Sequence, residues 1–77
     1  MTFNRDEFIV YAAKNTDSFL DVYDYTTSLC GIERLFDVDL DEAYSKDKCA
    51  ALLKEVKREV PNKALQCYVN FRNAQAA

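Results

Sequence analysis

Apolar positions in this chain recur at intervals of three and four residues, the spacing of helices that each bury one face. In "TFNRDEF", Asn4 can cap a helix and Glu7 follows three residues later as in a capping box, while Phe3 and Phe8 have the spacing of a hydrophobic staple. The pattern predicts a first helix over about residues 4–14, and Thr16 or Asp17 as the cap of a second. Val22, Tyr25, Leu29, Ile32 and Phe36 then form one stripe, so the second helix is expected to run unbroken to about residue 36. Gly31 lies inside it, where a glycine costs roughly 1 kcal/mol relative to alanine. A neighbouring helix crossing closely at Gly31 is the expected reason for the missing side chain.

"DVDLDEAY" repeats the capping pattern with Asp39 and Glu42, predicting a short helix over about 40–44. Ser45 is expected to cap a longer helix whose stripe is Cys49, Leu52, Leu53, Val56 and Val60, with Lys54, Lys57 and Arg58 off it. Pro61 is expected to end that helix, because the residue before a proline is pushed out of the helical region. Asn62 then opens a last helix with Ala64, Leu65, Tyr68, Val69 and Phe71 on its apolar face and Lys63, Gln66, Asn70 and Asn73 opposite. Residues 74–77 are expected to fray or to lead into a linker. No internal repeat or low-complexity tract interrupts the pattern, so residues 1–77 read as a single all-α domain, a compact bundle of four to five short helices.

Composition sharpens this reading. Hydrophobic residues are 49% of the 77 and aromatic ones 13%, enough apolar side chain to fold without metal or disulfide support. One glycine and one proline are too few for the turns of a small barrel or sandwich. Cys30, Cys49 and Cys67 are odd in number, form no CxxC pair and sit within or beside apolar stripes, so buried, reduced thiols in a reducing, cytoplasmic setting are expected. No apolar run approaches the roughly 20 residues of a membrane span. The net charge of −3 hides a division: residues 1–42 carry −7 and residues 43–77 carry +4.

Histidine is absent, which removes the commonest general base and all imidazole metal ligands. No catalytic residue, cofactor, metal or small-molecule substrate is expected. Asp37, Asp39 and Asp41 have the spacing of the first ligands of an EF-hand loop, but Glu42 and Lys48 stand where that loop needs glycine and a bidentate glutamate. These acids are better explained as caps on short helices. The basic half offers Lys54, Lys57, Arg58 and Lys63 for phosphates, with Gln66 and Asn70 for base edges. The acidic half offers Asp21, Asp24, Glu33, Asp37, Asp39 and Asp41 as a docking face for a basic protein.

Taken together, "RDEFIVYAAKN", "YxxSLxxIxxLF", "DLDEAYSKDK", "CAALLKEV" and "ALQCYVNF" resemble the small helical N-terminal domains of restriction and nuclease-type proteins. They are also similar to the SAM-like, core-binding domains of tyrosine recombinases. That resemblance spans about residues 5–73 and implies a non-catalytic DNA-binding module of a DNA-processing protein. Lys54, Lys57, Arg58, Lys63 and Gln66 would then contact DNA, although the segment matching "ALQCY" lacks the basic residue often found there. The alternative reading is a small acidic inhibitor, of phage or mobile-element origin, that docks on a nucleic-acid-handling protein. A helical oligomerisation domain is a third.

Overall fold

The computed structural model describes residues 3–76, and among them the chain forms five helices and no strand. Helix α1 spans Arg5–Asn15, α2 Phe19–Phe36, α3 Leu40–Asp47, α4 Ala50–Glu55 and α5 Glu59–Ala76. The long helices α2 and α5 pack on each other, α1 lies against both, and α3 and α4 close the remaining side.

Local signals set the start of α1 as expected. The Asn4 side chain accepts from the Glu7 backbone N–H at 3.1 Å, and the Phe3 and Phe8 rings meet edge to face with centroids 6.0 Å apart. The box is half-made, because the Glu7 carboxylate accepts from the Gln75 amide on α5 at 2.8 Å instead of turning back to Asn4. At the next junction the expected caps are displaced by one position. Ser18 caps α2, accepting from Leu20 N–H, while Thr16 donates its hydroxyl proton to the Ala12 carbonyl and finishes α1. Helix α2 runs unbroken through Gly31 to Phe36, with Val22, Leu29 and Ile32 buried and Tyr25 and Phe36 half-buried. The expected close crossing at Gly31 is absent: the residue is exposed, and a Cβ built there would meet nothing within 4 Å.

The largest departure lies between residues 45 and 62, where one predicted helix is three pieces. Helix α3 continues past Ser45 to Asp47, and Lys48 and Cys49 then take left-handed conformations with φ of 56° and 63°. Cys49 N–H bonds back to the Ala43 carbonyl at 3.2 Å and Lys48 N–H to that of Tyr44 at 2.8 Å, the paired closure of a Schellman motif made here without glycine. Helix α4 starts directly after this corner, with the Asp47 carboxylate accepting from Ala51 N–H at 3.2 Å, and it ends at Val56 in extended backbone.

Pro61 does not stop a helix; it lies in the first turn of α5. The first four N–H groups of a helix have no intrahelical partner, so the proline's missing donor removes no bond there. Asn62 N–H makes the first one, to the Arg58 carbonyl at 3.0 Å. The Asn62 side chain turns back to α4 instead, donating to the carbonyls of Val56 at 2.8 Å and Leu53 at 3.2 Å. Helix α5 then extends to Ala76, helical where fraying was expected, and Ala77 lies outside the described residues.

The core gathers Phe3 and Phe8, Ala12, Leu29, Leu40, Cys49, Leu65, Tyr68 and Phe71 from every quarter of the chain. Because the Asn62 side chain bonds two carbonyls at the end of α4 from the start of α5, Asn62→Ala should lower unfolding free energy by about 1–3 kcal/mol, the cost of leaving part-buried carbonyls unsatisfied. Urea titration checks this, with the exposed Asn70→Ala as the control expected to stay within roughly 0.5 kcal/mol, as surface substitutions do.

Candidate interaction surface

The side chains predicted to touch nucleic acid do not form one line. Lys54 is on α4, while Lys57 and Arg58 sit in the non-helical link before α5, so the three do not share a helix face. Lys57 and Arg58 border an open groove with Gly31, Leu35, Val56 and Pro61. Lys63, Gln66 and Asn70 border a different one, against Tyr11 and Tyr25. Lys63 is paired with Glu59 at 3.0 Å, and that carboxylate raises its pKa. The Gln66 amide donates to the Asn62 side chain at 2.6 Å. Among the described residues, Lys54, Lys57 and Arg58 take part in no ion pair.

Half of the predicted acidic face serves the fold. Asp39 caps α3, accepting from Asp41 N–H at 2.9 Å and Glu42 N–H at 3.4 Å. Glu33 reaches forward to accept from Leu40 N–H at 3.1 Å, and burial holds its carboxyl above the usual carboxylate range. Asp41 binds α3 to α5: its carboxylate accepts from the Tyr68 hydroxyl and from the Arg72 guanidinium. Arg72 in turn lies over the Tyr44 ring, 4.7 Å from its centroid, and the Tyr44 hydroxyl donates to Asn73. Asp37 closes α2 in a left-handed conformation. Asp21 and Asp24 remain exposed on the first turns of α2.

Beside those two acids lies what the sequence reading passed over. Phe19 is 83% exposed, Leu20 71%, Tyr23 66% and Leu35 79%, all on the one helix α2. Large apolar side chains left exposed together on one surface mark contact sites. Their signal was present in the pattern, since all four fall off the stripe Val22, Tyr25, Leu29, Ile32, Phe36. Phe19 and Tyr23 also border a groove of about 390 Å³ between α2 and α1, where Ile9 and Arg5 form the other wall.

The remaining chemistry is sparse. Among the described residues no three His, Cys, Asp or Glu side chains converge where a metal ion would sit, and no helix is long and apolar enough to cross a membrane. All three thiols are unpaired, Cys49 fully buried and Cys30 and Cys67 partly so. Every buried side-chain nitrogen and oxygen among the described residues has a hydrogen-bond partner. Comparison with protein-family models, with curated proteins and with solved structures finds no match to this chain.

Burial pushes the Cys49 thiol up to about 11 and, together with the Asp41 hydrogen bond, raises Tyr68. Both groups hold their protons more tightly folded than unfolded, so the unfolded chain releases protons first and stability falls with rising pH. The loss should begin near pH 9 and steepen above about 10, where free thiols and phenols ionise. Urea midpoints measured from pH 7 to 11 check this, with the Cys49→Ala variant expected to lose part of the decline.

Proposed function

We propose that the chain is a non-catalytic protein-binding module that docks through the outer face of α2. The observation that carries this reading is the exposure of Leu20, Tyr23 and Leu35, each at least 66%, along the side of α2 opposite buried Leu29, with Phe19 at 83% flanking its first turn. Aromatic and large aliphatic side chains anchor interfaces, and charges around them set the choice of partner. Asp21 and Asp24 supply such charges at one end of the helix and Arg34 at the other. The absence of histidine and of any converging ligand set among the described residues adds nothing that would favour chemistry over binding.

A second reading is contact with a nucleic-acid backbone through Lys54, Lys57 and Arg58, favoured by their lack of ion-pair partners among the described residues. The two are separated by one set of variants. A partner captured from cell extract, identified and purified, is titrated against wild type, against Leu20→Glu/Tyr23→Ser, and against Lys54→Glu/Lys57→Glu/Arg58→Glu. Docking through α2 is expected to weaken at least tenfold in the first variant and by less in the second, whose Lys57 and Arg58 border only the Gly31 and Leu35 end of that face. Undiminished binding by the α2 variant would sink the proposal. Duplex binding at low salt that vanishes only in the triple variant would establish the nucleic-acid reading in its place.

A further inference from the structure

Resting on the docking reading above, we infer that the partner seated on α2 is a second copy of this chain, packed antiparallel about a two-fold axis level with Leu29. At about 100° per residue, Leu20, Tyr23, Thr27, Gly31 and Leu35 fall within an arc of about 120° centred opposite buried Leu29. The arc holds apolar side chains at both ends and small residues in the middle, the shape that lets two helix axes approach at the lower end of the usual 8–10 Å range.

Gly31 is the first argument for a neighbour outside the chain. A glycine in the interior of an exposed helix costs roughly 1 kcal/mol relative to alanine. Nothing within the monomer needs the space, because a Cβ at Gly31 would meet no atom within 4 Å. A second helix laid across this point would need it.

Charge selects both the occupant and its direction. The acid of the face, Asp24, lies toward the start of α2, and its base, Arg34, lies in the last turn. With the axis level with Leu29, antiparallel packing sets Asp24 level with the partner's Arg34, Tyr23 level with the partner's Leu35, and Thr27 level with the partner's Gly31. The face is therefore complementary to its own reverse, as an isologous two-fold contact requires. A parallel pair would set acid beside acid and base beside base, and would align the helix dipoles unfavourably.

A contact built on one 18-residue helix face is small, so dissociation constants on the order of 10–100 μM are expected. The test is sedimentation equilibrium of the purified protein from about 5 μM to 1 mM, a span that brackets that range. Wild type should approach twice 8.9 kDa at the upper end. A Cβ at Gly31 meets nothing within 4 Å, so Gly31→Gln, which adds no charge beside Lys57 and Arg58, should keep its helical circular dichroism and melt no earlier, yet dissociate at least tenfold more readily. Arg34→Asp should also weaken the pair, and Asp24→Arg/Arg34→Asp should recover it. Failure of the double variant to recover overturns the antiparallel arrangement. A wild-type chain that stays monomeric at the highest concentration overturns self-pairing. If that monomer still loses a purified partner on Leu20→Glu, the face serves a different protein and the docking reading survives.

Discussion

The ring of Tyr68 is the point at which this fold is held together. It is fully buried on α5, with edge-to-face contacts to Phe3 and Tyr44 and a tilted contact to Phe71, so segments before α1, within α3 and within α5 all meet one side chain. Its hydroxyl reaches the edge of the core and bonds Asp41, which Arg72 also holds. A buried phenol needs such a partner, and here the partner fixes the register of α3 on α5. In a domain this small, where the core buries a limited share of the surface, few contacts join so many elements.

Dependence on Tyr68 explains the uneven use of the acids. The carboxylates of Glu33, Asp39 and Asp41 lie close to the α2–α3 corner and the α3–α5 seam, where backbone N–H groups and Arg72 offer bonds, and the fold uses them. Asp21 and Asp24 stand exposed on the first turns of α2. The chain's acidic half is thus two populations, one architectural and one facing solvent, although composition presents it as a single run.

What was legible in the sequence follows the range of each interaction. The start of α1, the stripe of α2 and the Asp39 cap depend on residues within a few positions of one another, and they stand where the spacing put them. The break at Lys48 and Cys49 was hidden because both left-handed positions lack glycine, and the apolar spacing of residues 49–60 reads smoothly across it. Pro61 misled because a proline in a first helical turn and one after a last turn look alike in sequence, and only the Asn62 side chain bonded to α4 distinguishes them here. The exposed residues of α2 were visible as departures from a stripe. Their meaning required knowing that no other helix covers that side.

The corner at Cys49 has a consequence for how the molecule can be watched. Its sulfur is fully buried at the α3–α4 junction, 4.0 Å from the Leu40 carbonyl. Reaction of that thiol with a small reagent therefore counts openings of one corner, while Cys30 and Cys67, each partly accessible, report on their own neighbourhoods. The chain thus carries a chemical clock for breathing at its least regular point, written in residues already present.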